Sequence, residues 1–201
     1  MKQQVVTIHG GTSFHSYDEY INYLQTREIA LEGLQQTPDW KMALAGDLGE
    51  GFEVLSPRMP NGTNARYVEW HIWFERCAEF MRDGVILIGH SLGGIFLAKY
   101  LAENSLQRVV KATVLVATPF DGHFGAESLV DFALPDSLKR LADRGGNIYL
   151  VHSTDDPVVP FGEALKYQRS IPSAEILSFD DRGHFNQANF PEVVQLVASL
   201  A

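Results

Sequence analysis

Val85-Ile86-Leu87-Ile88-Gly89-His90-Ser91-Leu92-Gly93-Gly94 is the stretch that decides the fold. Its first four residues are apolar on both faces of an extended chain. Such a run suits a strand covered on both sides, as in a parallel sheet. Leu92 to Ala102 follows with the composition of a buried helix. Between strand and helix stands Gly-x-Ser-x-Gly, the signature of a sharp turn that lifts a serine out of the sheet. A β-carbon at Gly89 or Gly93 would strike the neighbouring strand or helix. The turn aims the Leu92 N–H, at the helix start, at the space above Ser91, where helix dipole and amide together favour negative charge.

The pattern repeats outward in both directions. Short apolar runs at Val5 to His9, Phe52 to Ser56, Val85 to Gly89, Ala112 to Ala117, Asn147 to His152 and Ala174 to Phe179 read as six strands. Helical spacing fills the gaps. Asn64 to Met81 repeats Tyr67, Trp70, Phe74, Cys77 and Met81 every three or four residues. Trp40 to Leu48 carries a stripe of Trp40, Leu44 and Leu48. Ser137 to Asp143 is short, and Pro191 to Leu200 opens with proline, suited to a first turn. The alternation predicts one α/β domain over residues 1–201 with right-handed crossovers.

Two connections exceed what a crossover needs: 12–38, with room for one or two helices over Tyr17 to Leu34, and 118–134. Both leave the carboxyl end of a strand, where open α/β sheets bind ligands. They read as pocket walls or lids, or equally as ordinary surface insertions.

A serine needs a base to become a nucleophile, and in this strand–turn–helix context the chain order is Ser, then Asp or Glu, then His. His123, His152 and His184 follow Ser91. His123 lies within an insertion, and His152 ends an apolar strand. His184 lies just past the last strand, on the same sheet edge as Ser91, and is the expected base. The expected acid lies after the fifth strand, in Ser153-Thr154-Asp155-Asp156-Pro157-Val158-Val159-Pro160. Asp155 and Asp156 compete for this place; an Asp-x-x-Val-Pro spacing, which has its meaning from a family resemblance, favours Asp156, and Asp155, one residue off, remains the alternative. The second oxyanion donor is expected in His9-Gly10-Gly11-Thr12, from Gly11 or else Thr12, because glycine lets backbone approach a substrate closely.

Composition narrows the function classes. With 25 acidic and 16 basic residues in 201, the net charge of −9 disfavours charge-driven nucleic-acid binding. No apolar run approaches membrane-spanning length. The first ten residues lack a signal-peptide pattern, so a cytoplasmic location is expected and the Asn61-Gly62-Thr63 sequon carries little meaning. The lone Cys77 excludes an intramolecular disulfide and reads as a buried thiol. Trp70, Trp73 and Phe74 read as core. Met59-Pro60-Asn61 reads as a turn or a pocket edge.

Gly89-His90-Ser91-Leu92-Gly93, His9-Gly10-Gly11, Asp156-Pro157-Val158-Val159-Pro160 and Gly183-His184-Phe185 together resemble the α/β-hydrolase superfamily. Within it, the small size, Ser153-Thr154-Asp155-Asp156-Pro157 and Pro57-Arg58-Met59-Pro60-Asn61 resemble the compact YdeN-like predicted esterases, related to the retinoblastoma-binding serine hydrolase. The resemblance implies about six parallel strands in order 2-1-3-4-5-6 between helical layers. It also implies hydrolysis of a small acyl ester with no cofactor and no metal. Thioester, amide and acyl-transfer chemistry use the same groups. A non-catalytic ligand- or protein-binding module, or a small-molecule receptor, is the rival class.

Overall fold

The computed structural model describes residues 1–35, 38–121 and 129–201. Six strands form one parallel sheet: β1 (Gln3–Ile8), β2 (Phe52–Leu55), β3 (Val85–His90), β4 (Val110–Val116), β5 (Asn147–Ser153) and β6 (Glu175–Phe179). Their order is β2-β1-β3-β4-β5-β6, as the resemblance implied. The chain starts mid-sheet, winds to one edge, then reverses to the other. The reversal lies between β1 and β3, so the loops after these two strands flank a crevice at the carboxyl edge.

Alternation along the strands sorts the core into two layers. Val6, Ile8 and Leu87 face one side. There they meet α4 (Tyr67–Ala78), α5 (Leu92–Glu103), α6 (Lys139–Arg144) and α7 (Gly162–Ser170) through Trp70, Phe96, Leu141 and Tyr167. Val5, Ile86, Ile88 and Val114 face the other side. They are covered by α3 (Trp40–Leu48) and α8 (Pro191–Ser199) through Trp40, Leu44, Val193 and Val197. β3 and α5 are buried along almost their whole lengths, which is why both read as unbroken apolar runs.

Several boundaries differ from the sequence reading for local reasons. The Asn64 to Met81 helix is confined to α4. Before it, Ala65 N–H donates to Thr12 O and Arg66 is extended; after it, Phe80 and Met81 close tight turns onto Cys77 and Ala78. Trp73 is 41% exposed and is not core, whereas Trp70 and Phe74 are fully buried. Cys77 is only half-buried and lines a cavity of about 350 Å³ with Val6, Val54 and Met81. The 12–38 segment holds α1 (Tyr17–Thr26) and a single turn, α2 (Leu31–Leu34). Ser16 caps α1 by accepting the Glu19 N–H, and none of the residues of α1 is buried.

α7 is a helix that the sequence pattern did not reveal. Most of its residues are polar, and only Glu163, Ala164 and Tyr167 are buried. Its N-terminus lacks a capping side chain. What holds it is tertiary: Tyr167 donates to Pro119 O, and Glu163 accepts the N–H groups of Phe120 and Asp121. These bonds tie the exit of β4 to the β5–β6 crossover. His123, weighed as a base, lies outside the described residues. Among the described residues no helix is long and apolar enough to cross a membrane.

Candidate active site

Ser91 sits between β3 and α5 with φ 54° and ψ −122°, a region that L-residues rarely occupy. The turn around it survives because Gly89 and Gly93, two places to either side, have no side chains. A β-carbon on Gly89 would lie 2.5 Å from the Gly94 α-carbon, and one on Gly93 would lie 2.5 Å from the His9 carbonyl. Ser91 N–H is anchored to Val116 O at 2.9 Å. Its hydroxyl makes no helix-capping bond. Strain of this kind, typically 1–3 kcal/mol, persists only where the surroundings over-determine it.

The loop after β1 packs directly over the turn. A β-carbon on Gly10 would come within 3.2 Å of the Ser91 β-carbon, and one on Gly11 within 2.6 Å of Gly62 O. Thr12 N–H is already committed to Gly62 O at 2.9 Å. His9 fixes this loop from below. Its Nδ1–H donates to Gly10 O at 2.6 Å, and its Nε2 accepts Met59 N–H at 2.8 Å. Met59 is buried beside this loop, and the turn beyond it passes through Asn61 at φ 49°.

At the far side of the edge, His184 Nδ1 lies 2.9 Å from Asp156 Oδ2 and 3.1 Å from Oδ1. The Asp156 side chain is wholly buried. Its Oδ1 also accepts the N–H groups of Val158 and Val159, at 2.8 and 2.9 Å. Asp156 is thus both the histidine's partner and the acceptor of the turn amides. Asp155 does something else. Its Oδ1 accepts the Gly183 N–H at 2.9 Å and the Ser153 hydroxyl, so it holds the backbone before His184 and does not touch the imidazole.

The loop bearing His184 is pinned from two further directions. His90 Nε2 lies 2.8 Å from the His184 carbonyl, and Trp40 Nε1–H donates to the Phe185 carbonyl at 2.9 Å. The rings of His90 and His184 are 5.0 Å apart. Ser91, the neighbour of His90, is in this way drawn to the same edge as His184. The sequence reading missed His90 and Trp40 as contributors. His90 was visible within Gly-x-Ser-x-Gly, but nothing in the sequence pointed Trp40 at residue 185.

Two buried histidines make the site sensitive to acid. Burial pushes the His90 pKa well below its ordinary value; Lys41 and His184 add to the shift. Burial also lowers that of His152, which donates to Val159 O at 2.8 Å and lies 3.7 Å from Asp156 Oδ2. Below the ordinary histidine pKa of about 6.5, the unfolded chain takes up protons that the folded chain refuses. Stability is therefore complete above that pH and falls as pH drops below it. Each histidine contributes a slope of up to about 1.4 kcal/mol per pH unit. Urea unfolding at pH 7.5, 6.5 and 5.5 should give little change over the first step and a marked drop over the second.

Comparison with known proteins gives the family and the fold. A family model described as "Serine hydrolase" matches residues 31–198. The chain belongs to the serine hydrolase family. It is 27% identical over 169 residues to serine hydrolase RBBP9 of Rattus norvegicus, covering 84% of this chain and 82% of that one. The crystal structure of the ydeN gene product of B. subtilis superposes with a TM-score of 0.71 at 20% identity, covering 99% of this chain and 98% of that one. A meta-cleavage product hydrolase from Pseudomonas fluorescens superposes with a TM-score of 0.67 at 16% identity, covering 100% and 90%. The α/β-hydrolase fold and the resemblance to the YdeN-like and retinoblastoma-binding branch both stand.

Proposed function

We propose that this serine hydrolase cleaves small acyl esters through Ser91, His184 and Asp156, with the Leu92 and Gly11 N–H groups as the oxyanion hole. The observation that carries this reading is the buried Asp156–His184 bond at 2.9 Å, on the edge where Ser91 is held at positive φ. With Nδ1–H committed to Asp156, His184 presents Nε2 as the basic nitrogen.

The reaction follows from these placements. His184 Nε2 takes the hydroxyl proton as Ser91 Oγ attacks the acyl carbon. The charge that develops on the carbonyl oxygen faces two backbone donors, one of them at the positive end of α5. The tetrahedral species collapses, the ester C–O bond breaks, and the alcohol leaves with the proton from His184. Water then attacks the acyl-enzyme, gives its proton to His184, and Ser91 takes that proton back as the acid departs. Asp156 stays ionised throughout and stabilises the imidazolium.

The two adjacent aspartates should separate cleanly. Asp156→Asn removes the charge facing His184 and is expected to lower kcat by about 10³–10⁴-fold. Asp155→Ala loosens only the backbone at Gly183 and is expected to lower kcat by about tenfold, or roughly 1.4 kcal/mol. Steady-state kinetics on both variants make the comparison; equal losses would reassign the acid.

Turnover of p-nitrophenyl acetate, butyrate and decanoate tests the substrate class. The proposal expects hydrolysis of the two short esters in preference to the long one. A well-folded protein that turns over none of them, yet retains a small molecule tightly, would favour a binding module on the same scaffold.

A further inference from the structure

We infer that His90 and Lys41 form a positioning unit for His184, with Lys41 selecting the tautomer that lets His90 hold the histidine's backbone. The inference rests on the reading of His184 as the base.

His90 is 4% exposed and sits one residue before Ser91. Its Nε2 lies 2.8 Å from the His184 carbonyl oxygen. A carbonyl only accepts, so Nε2 must carry the proton. A neutral imidazole has one N–H, which leaves Nδ1 as a bare acceptor. Lys41 Nζ lies 3.5 Å from that nitrogen. An ammonium only donates, so its presence favours this tautomer over the reverse. It also opposes a second proton on His90. Asp39 holds Lys41 in place, with Nζ 2.6 Å from Oδ2. The Lys41 side chain is 13% exposed, so this is an enclosed arrangement and not a surface pair.

The first turn of α3 thus acts on the His184 loop twice. Trp40 takes the Phe185 carbonyl directly, and Lys41 works through His90 on the His184 carbonyl. Two consecutive carbonyls are fixed, and Phe185 is held at φ 54°. The loop needs this because His184 lies between β6 and α8, in no regular element. Asp156 restrains the ring alone. A drift of about 1 Å between base and nucleophile can lower the rate about 100-fold.

The test compares His90→Leu, His90→Gln, Lys41→Met and the double variant His90→Leu/Lys41→Met. His90→Leu is expected to lower kcat for p-nitrophenyl acetate about thirtyfold while KM stays within about twofold. Glutamine can donate from Nε2 to the carbonyl and accept from Lys41 at Oε1. His90→Gln should therefore recover activity to within about threefold of the parent. Lys41→Met should give a smaller loss of about fivefold, and the double variant should be no worse than His90→Leu alone, as expected of groups acting in series. Equal losses in His90→Leu and His90→Gln, a loss confined to KM, or additive losses would overturn the inference. Should His90→Leu fail to fold, the glutamine and methionine variants still decide it. Independently of activity, nitrogen-15 NMR of the parent at pH 7 should show His90 neutral with the proton on Nε2, and Lys41→Met should admit the Nδ1–H form. A parent His90 protonated on Nδ1, alone or with Nε2, would overturn it. A parent that hydrolyses no ester would count against the hydrolase reading instead, and the NMR result would then decide this one.

Discussion

Ser91→Ala is expected to lower kcat for a short acyl ester by about 10⁴-fold or more, with the fold intact. The hydroxyl is the bond-forming group of the proposed reaction. Its loss leaves only binding and the oxyanion donors, and water attacking directly is a far slower route. Stability should hardly change, because the Ser91 hydroxyl caps nothing and alanine inherits the same positive φ. Ser91→Gly extends the prediction. It should be equally inactive yet gain about 1 kcal/mol, since glycine meets no β-carbon penalty at φ 54°. Urea midpoints and steady-state rates on the same preparations separate the two effects. A Ser91→Ala variant retaining a tenth of the activity would remove Ser91 from the mechanism.

Gly93→Ala should produce a large loss of stability, roughly 3 kcal/mol or more. The added β-carbon would press on the carbonyls of Ile8 and His9, both backbone and both at the end of a central strand. Neither can swing aside as a side chain would. Relief requires moving β1 away from α5, which also displaces the Gly10–Gly11 loop from Ser91. Stability and activity should therefore fall together, unlike in Ser91→Ala. Gly162→Ala, at a position where a β-carbon meets nothing within 4 Å, is the control and should be near neutral.

The elements most legible in the sequence are those whose burial is carried by their own residues. β3 and α5 are apolar on nearly every side, so pattern and structure coincide from Val85 onward. The steric need for Gly89 and Gly93 could be read because it depends on a short local spacing, and the proposal of Asp156 with His184 rests on spacings of the same kind. α7 could not, because Glu163 and Tyr167 earn their burial from partners about forty-five residues away. The same holds for Trp40 and Lys41. The stripe Trp40, Leu44, Leu48 announces a core helix, but its hydrogen bond to Phe185 spans 145 residues of chain. Long-range polar contacts leave no period in a sequence. The strand, turn and helix around Ser91 are thus readable as fold, while the contacts of Trp40 and His90 with the His184 loop emerge only from the packed molecule.

The insertion after β1 illustrates the other limit. The length of Tyr17 to Leu34 left room for one or two helices, and α1, which forms there, buries no residue. It is attached through rings instead, with Phe14 against Tyr20 and Tyr23 at 5.5 and 5.0 Å. Phe14 is itself buried, and Arg66 holds its carbonyl at 2.7 Å. We propose that this segment walls the sheet edge that carries Ser91, a role supported by the bond from Thr12 N–H, at its start, to Gly62 O.

The central claim is that Ser91 is an activated nucleophile served by His184. Intact-protein mass after incubation with a fluorophosphonate tests it most directly, on the parent, Ser91→Ala and His184→Ala. The account predicts one phosphonyl adduct on the parent, none on Ser91→Ala, and none on His184→Ala within the same time. A well-folded parent that gains no adduct, or an adduct that survives in Ser91→Ala, would contradict it.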